Sequence, residues 1–536
     1  MEINLLNRPG WRQDEDIAPF KDDICDDLVL EPILGIMARN DNYIYRQCKS
    51  VLLSPLTDRE NIRHRQSALR DAVRNKKTIL SLYATVAEVV TDISNFRTAQ
   101  RKKGNPLPAV RVLNAVEQLD LLANGMERLK TEIVNTYGHF TGMIFRDFYD
   151  DFLKEFSAEF VMLVHEKTTL LKTIEQNGEL RISAQLGRGL KTEGYIVNSI
   201  SEYQTRRKYD IMESLFSTRV KKNEIRISYD DVALNRDCRD LESAGLLHVA
   251  STFDSFSQEL MKLFQTLRAQ LAFYYGCCNL HSHMKNMVFP VCFPEISAEP
   301  HAITGEQFYD LGNAVKTQRI PTANDIAGDD TLRYLITGTN HGGKTTFIRS
   351  AAIAQLMAQC GMFVPAKSMI TQVFNGFYTH FVRNEDETMQ SGKLEEELKR
   401  LSKIIDVMSP QSIIFMNESF ATTSERDGAL IAEEILRAFF DNNVTCFFVT
   451  HIYAYVKKAY DEHVPRTQFL QAERTVEGER TYHMLHGEPS VTGYGMELYD
   501  SIINGNGEYK PIPEEEPVEE PTEPPVGQYD VAEDEG

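Results

Sequence analysis

Apolar residues recur every three or four positions through most of the stretch from about Ser54 to His283, the spacing of a helix that buries one face. The clearest run is Val112, Val116, Leu119, Leu122, Met126, Leu129, Ile133 and Tyr137, which predicts one long amphipathic helix. Asn105-Pro106-Leu107-Pro108 breaks the pattern just before it. Between Arg219 and Asp240 the texture changes: Ile225, Ile227 and Tyr229 alternate with polar residues, which predicts a short strand in a small insert near 205–240. Pro290, Pro294, Pro300, Gly305 and Gly312 then mark a boundary, after which short apolar runs alternate with helical patterns. Tyr334-Leu335-Ile336, Ser412 to Met416 and Thr445 to Val449 read as strands. Asp427 to Phe440 reads as a helix between the second and third of these. A further helix, with Leu394, Leu398, Leu401, Ile404, Ile405 and Met408 on one face, precedes the second. Such alternation predicts a mostly parallel sheet with helices on both faces. The expected organisation is a lead-in over 1–50, a mostly helical region over 51–285, an α/β domain over 286–507 and a tail over 508–536.

Composition adds limits to this outline. With 536 residues, 42% hydrophobic and 25% charged, the chain has the makeup of a globular protein with a large core. The formal net charge is −20, from 58 Lys+Arg against 78 Asp+Glu. Half of it lies in the Pro/Glu-rich tail, where eleven carboxylates and one lysine follow one another from Glu508 to Gly536; this segment has too few apolar residues to fold and is expected to be disordered. The total charge therefore says little about the body. The eight cysteines show no C-x-x-C spacing, as expected of reduced thiols. Met1 to Phe20 lacks a signal-peptide pattern, and no run of about 18 apolar residues predicts a membrane span, so a soluble cytoplasmic protein is expected.

The candidate chemistry begins at the first strand of the α/β region. Gly338-Thr339-Asn340-His341-Gly342-Gly343-Lys344-Thr345 fits G-x-x-x-x-G-K-[ST], between the strand at Leu335-Ile336 and a helix expected to run to about Cys360 and close at Gly361. Glycines let successive backbone N–H groups curl around phosphate oxygens, and the helix N-terminus adds partial positive charge. In such a loop Lys344 reaches the β- and γ-phosphates and the Thr345 hydroxyl binds Mg²⁺. The second strand runs into Asn417-Glu418. A residue there holds the metal and the next carboxylate orients the attacking water, so Glu418 is the candidate base and, with Thr345 and Asn417, a candidate metal ligand. Asn417 offers an oxygen without charge, which predicts weaker metal binding and slow hydrolysis. The third strand ends in Thr450-His451, where an imidazole is placed to contact a terminal phosphate.

Taken in order, these segments resemble the MutS family of DNA mismatch-repair ATPases, a branch of the ABC-type ATPases. Thr337 to Thr346 is similar to the family's TGPNMGGKST loop, with Arg349 matching a family arginine. Asn417 to Gly428 resembles DEIGRGTSTYDG, and Val449-Thr450-His451 resembles ATH. Ser391-Gly392-Lys393 resembles the start of the SGRSTF signature, and Tyr494-Gly495 resembles SYG. Upstream, Pro55, Leu56, Asp58, Ile62, Arg65 and Gln66 resemble the opening of the family's helical core. The resemblance implies an ABC-type P-loop ATPase domain behind a helical lever, with ATP and Mg²⁺ as ligands and Gly338 to Thr346 as the nucleotide loop. It also implies a homodimer in which Ser391 and Gly392 complete the partner's site. The departures are Asn417 for the metal Asp, an altered signature after Lys393 and only about 50 residues ahead of the helical core, which implies no dedicated mismatch reading. Phe148-Tyr149-Asp150 imitates the family's F-x-E wedge but reads as core packing. Arg319 to Asn324 lies where the family stacks adenine, without an aromatic side chain.

Basic clusters at Arg101-Lys102-Lys103, Arg206-Arg207-Lys208 and Lys221-Lys222 fall in the helical region and are candidate contacts to DNA phosphates. The leading expectation is an ATP-driven clamp on duplex or branched DNA. The alternatives are an RNA- or ribosome-directed ATPase and an ATP-gated scaffold with little hydrolysis. No L-S-G-G-Q segment is present, which argues against a membrane transporter subunit.

Overall fold

A computed structural model describes residues 2–12, 16–102, 108–157, 178–186, 192–202, 232–299, 303–319, 321–328, 330–339, 341–383, 392–474 and 480–489. Lys103, Arg206, Arg207, Lys208, Lys221, Lys222, Asn340, Ser391, Tyr494-Gly495 and the tail over 508–536 lie outside these residues.

The N-terminal part is helical. Three short helices, α1 (Lys21–Asp27), α2 (Glu31–Ala38) and α3 (Asn42–Leu52), precede α4 (Arg59–Arg74), α5 (Lys76–Lys102), α6 (Pro108–Thr136) and α7 (Met143–Glu155). Aspartates start two of them: the Asp41 carboxylate accepts from the N–H groups of Tyr43 and Ile44, and Asp58 accepts from Asn61. The periodicity expected of α6 is observed: Val112, Val116, Leu119, Leu122, Met126, Leu129 and Ile133 are all buried, while Tyr137 is partly exposed. α5 and α6 approach closely at Gly125, where a methyl group would lie 2.6 Å from Val89 Cγ2. Phe148 and Tyr149 are buried on α7, as core packing requires.

Next comes an antiparallel hairpin, β1 (Gly178–Leu186) and β2 (Thr192–Glu202), and then the 55-residue α8 (Val232–Asn286), which packs against α2 to α6. Most of the expected insert near 205–240 lies outside the described residues. The described strands end by Glu202, and from Val232 onward the chain is already helical. The Ile225–Tyr229 alternation lies outside the described residues.

The C-terminal part is built on two sheets. β3 (Glu295–Ile296), β4 (Ile303–Phe308), β5 (Asn324–Ile326) and β7 (Ser368–Thr371) form a small sheet in the order β3-β7-β4-β5, with α9 (Leu311–Thr317) between β4 and β5. β6 (Arg333–Thr337), β8 (Phe377–Phe381), β9 (Ile413–Asn417), β10 (Thr445–Val449), β11 (Thr467–Arg474) and β12 (Arg480–His486) form the large one, in the order β12-β11-β6-β10-β9-β8. All neighbours in it are parallel except β11 and β12. β6, β8, β9 and β10 are buried at every position, the pattern of strands covered on both faces. The helices are α10 (Lys344–Gln359), α11 (Lys393–Val407), α12 (Glu425–Asp441) and α13 (Tyr453–Asp461). In α10 all but Thr345, Thr346 and Arg349 are buried, and its alanines let it lie tightly under the sheet.

One hydrophobic core runs without a break from the helices into this region, joining Leu271, Phe273 and Tyr274 of α8 to Phe347, Ile348 and Ile353 of α10. The Pro55–Gln66 segment lies at this junction. Buried Arg65 donates to the carbonyls of Leu6 and Cys360, and Gln66 donates to that of Pro294. Arg65 also packs where a side chain at Gly361 (φ +69°) would project. Among the described residues no helix is long and apolar enough to cross a membrane, and Cys25, Cys48, Cys277, Cys278, Cys292, Cys360 and Cys446 are free thiols.

Candidate functional site

The C-terminal ends of β6, β9 and β10 open onto one cavity of about 840 Å³. The crevice beyond the carboxyl ends of parallel strands is where open α/β sheets bind ligands, and the size suits a ligand of several hundred daltons. Of the residues singled out in the sequence, His341, Gly342, Gly343, Lys344, Thr345, Thr346, Glu418 and His451 line it.

The loop after β6 takes its shape from its glycines. Gly343 is the N-cap of α10 at φ +88°, a conformation that favours residues without a Cβ, so the backbone N–H groups of the first helical turn face the cavity. Lys344 follows and is buried. Its ammonium donates to the carbonyls of Gly338 (2.8 Å) and Thr339 (2.9 Å), and among the described residues no carboxylate is a hydrogen-bond partner. Burial pushes this lysine down to about 8, with the Glu418 charge acting the other way. Next to it the Thr345 hydroxyl donates to Asn417 Oδ1 at 3.3 Å, so two uncharged oxygens meet at the end of β9.

Glu418 and His451 come from adjacent strand ends. The Glu418 N–H bonds the Val449 carbonyl (2.8 Å), and the Thr450 N–H bonds that of Ile336 (3.1 Å), which ties the three strand ends together. His451 Nε2 then lies 3.1 Å from Glu418 Oε1. That hydrogen bond holds the Glu418 carboxyl below its usual range; burial opposes the shift, and the His451 and Lys344 charges reinforce it. An ionised, oriented carboxylate can align a water molecule. His451 therefore turns its Nε2 toward Glu418, and it also lines the cavity in which the sequence suggested a phosphate contact.

The structure brings Asn313, Arg480 and Tyr482 to the cavity, which nothing in the sequence marked, together with Pro321, Thr322 and Asn324 from the Arg319–Asn324 stretch that the resemblance placed beside adenine. Tyr482 comes from the edge strand β12. Asn324 anchors that strand, donating from Nδ2 to the Tyr482 carbonyl (3.2 Å) and accepting from the Met484 N–H (2.7 Å). No local signal marks Tyr482, because it reaches the cavity only through the pairing of β11 with β12.

Other expected residues lie elsewhere. Gly392 is the exposed N-cap of α11 and is not part of the cavity lining. Arg101 and Lys102 form the exposed last turn of α5. Among the described residues no group of three or more His, Cys, Asp and Glu side chains is arranged to hold a metal.

Comparison with known proteins agrees with this arrangement. Residues 57–287 match the family model of the MutS2 N-terminal domain, and residues 334–503 match that of MutS domain V. A DNA mismatch repair protein MutS from Natronomonas pharaonis is 26% identical over 211 residues, covering 39% of this chain and 24% of the relative. That of Thermus aquaticus is 28% identical over 185 residues, 34% of this chain and 22% of the relative. A DNA mismatch repair protein MSH3 from Pyricularia oryzae is 28% identical over 164 residues, 30% of this chain and 14% of the relative. The matched stretches thus span less than a quarter of the length of each of these relatives. Two family models falling in order on the helical region and on the sheet domain, with the loop, Glu418 and His451 inside the second, establish that the chain belongs to the MutS family.

Proposed function

We propose that this chain is a P-loop ATPase of the ABC type that binds ATP with Mg²⁺ in the cavity beside α10 and uses it to grip duplex or branched DNA. The observation that carries this reading is Lys344, a buried cation at a helix N-terminus whose hydrogen bonds, among the described residues, go to main-chain carbonyls. Such a group is costly to bury without an anion, and a polyphosphate on the α10 N-terminus supplies one. The donor set for the metal also fits. Thr345 and Asn417 offer neutral oxygens, and Mg²⁺ commonly keeps waters and takes its charged ligands from the phosphates. Bound Mg-ATP supplies a cleavable phosphoanhydride and a charge that two protomers can share.

The chain's own groups then have distinct tasks. Backbone N–H groups of Gly342 and Gly343 and the Lys344 ammonium hold phosphate oxygens, Tyr482 gives the base a ring to stack on, and Glu418, aligned by His451, orients a water. In a dimer, Gly392 at the N-cap of α11, with the preceding Ser391 in sequence, would complete the partner's nucleotide site. The relatives are named DNA mismatch repair proteins, which makes DNA the first ligand to test.

The test is single-turnover hydrolysis of ATP by the wild type, Glu418→Gln and Asn417→Asp, together with binding to duplex DNA, a four-way junction and RNA at two salt concentrations. The expected result is slow hydrolysis that falls about 100-fold in Glu418→Gln and rises in Asn417→Asp, with salt-dependent DNA binding. Hydrolysis indifferent to Glu418→Gln overturns the site, and tighter binding to RNA than to DNA overturns the ligand.

A further inference from the structure

Behind Glu418 lies a buried polar network that the nucleotide cavity does not include. The chain turns sharply after Asn417, with Glu418 at φ +59° and Phe420 at φ +66° on either side of Ser419. Non-glycine residues hold such conformations where the surroundings over-determine them. Here two side chains do so. Glu397 of α11 is nine-tenths buried; its Oε1 accepts the Phe420 N–H at 2.7 Å, and its Oε2 accepts the Thr422 hydroxyl at 3.2 Å. His380 of β8 is fully buried, with Nδ1 2.7 Å from Ser419 Oγ and Nε2 3.3 Å from the Glu397 carbonyl oxygen. A ring nitrogen facing a carbonyl must carry the proton, so Nε2–H donates to Glu397 and Nδ1 accepts from Ser419. Burial keeps this imidazole neutral, pushed down to about 3, and the Ser419 hydroxyl also lies 3.2 Å from the His380 carbonyl oxygen.

Both ends of the network matter. One end is the turn that carries Glu418. The other is the first turns of α11, whose N-cap is Gly392, five residues before Glu397. α11 and the Glu418 turn are otherwise joined by apolar packing, in which Leu401 and Ile404 share a cluster with Phe420.

We infer that Glu397, backed by His380, is a positioning residue that couples the N-terminal end of α11 to the placement of Glu418. The inference rests on the proposed function, in which Glu418 orients water and the α11 N-terminus meets the partner's nucleotide. A small shift of α11 on engagement then moves the Phe420 and Thr422 attachments and with them the Glu418 carboxylate. Hydrolysis in one cavity becomes responsive to what the α11 end touches.

The test compares Glu397→Ala, Glu397→Gln and Thr422→Val with the wild type and Glu418→Gln. Equilibrium binding of a fluorescent ATP analogue is measured beside single-turnover hydrolysis. Glu397→Ala is expected to bind the analogue within threefold of the wild type and to hydrolyse ATP at least tenfold more slowly. Glu397→Gln, whose amide oxygen can still accept from Phe420, is expected to recover most of that loss, and Thr422→Val to lose only a few-fold. If Glu397→Ala does not fold, the Glu397→Gln and Thr422→Val rates carry the test. Wild-type hydrolysis in the Glu397 and Thr422 variants with a dead Glu418→Gln overturns the coupling alone. A wild type that binds ATP without turning it over, or does not bind it, overturns the coupling and the proposed function together.

Discussion

Lys344 shows how much one side chain can be asked to do. Its ammonium is buried and, among the described residues, bonds the Gly338 and Thr339 carbonyls, and this environment makes it an unusually acidic lysine, at about 8. A bound polyphosphate favours the charged form, so above pH 8 binding must take up a proton. The sign follows: affinity for ATP is full below pH 8 and weakens by up to about tenfold per pH unit above it. Titrating the dissociation constant from pH 7 to 9 checks this, with EDTA present to remove the metal's own pH dependence. Lys344→Met should weaken binding at pH 7 by roughly 10- to 100-fold, the loss of a charged hydrogen-bonding partner, and flatten the profile. The placement of Gly343, Lys344 and Thr345 at the cavity is legible in the sequence because a G-x-x-x-x-G-K-T loop is local: residue types, spacing and the flanking strand and helix all lie within a few turns of chain. Tyr482 and Glu397 are not legible in that way. Each reaches its place through pairing or packing between segments far apart in sequence.

The elements show the same division. The α6 stripe from Val112 to Ile133 is buried where its period predicts, because a helix face is fixed by local geometry alone. The strand expected at Ile225–Tyr229 lies outside the described residues, while the hairpin at 178–202, upstream of it, carried no clear signal in a stretch that reads as helical, because alternation over a few residues is weak. Which faces meet is also hidden from the sequence. Gly125 reads as an indifferent helix residue until α5 is seen lying against it at Val89. Gly125→Ala gains helix propensity of up to about 1 kcal/mol, but its methyl would overlap the Val89 side chain, and overpacking costs about 1–3 kcal/mol. The expected net result is a loss of about 1 kcal/mol. Val89→Ala in the same chain should suppress that loss, and urea unfolding of both single variants and the pair measures the coupling.

At the scale of the whole molecule, the N-terminal fifty residues are stitched to both halves. The Ile17 carbonyl accepts the Phe377 N–H of β8 (2.8 Å), the Asp27 carbonyl accepts from Arg349 of α10 (2.8 Å), and Leu5 N–H donates to Gln270 of α8 (2.8 Å). The Asp27 side chain is buried under this seam. Desolvation raises its carboxyl to about 6, more than nearby Thr379 and Arg400 lower it. A carboxyl raised on folding contributes stability below about pH 4 that is lost as pH climbs through 6. Asp27→Asn removes that dependence. Its stability relative to the wild type should therefore be more favourable at pH 7 than at pH 4 by up to about 3 kcal/mol, the value of two pKa units; urea midpoints at the two pH values test it.

The sequence by itself determined the family resemblance and the order of the parts. A G-x-x-x-x-G-K-T loop, a strand ending in Asn417-Glu418 and a third ending in His451 are short-range patterns, and each strand has the buried, continuous apolar character of a parallel sheet. Tertiary structure alone decided what those parts face. The order β6-β10-β9 puts Glu418 and His451 on adjacent strand ends, 3.1 Å apart, and the return of β12 beside β11 carries Tyr482 to the same cavity. The physical reason is the range of the interactions: helix period, turn chemistry and loop spacing act over a few residues, whereas strand order and helix-on-sheet packing are settled by burying one shared core.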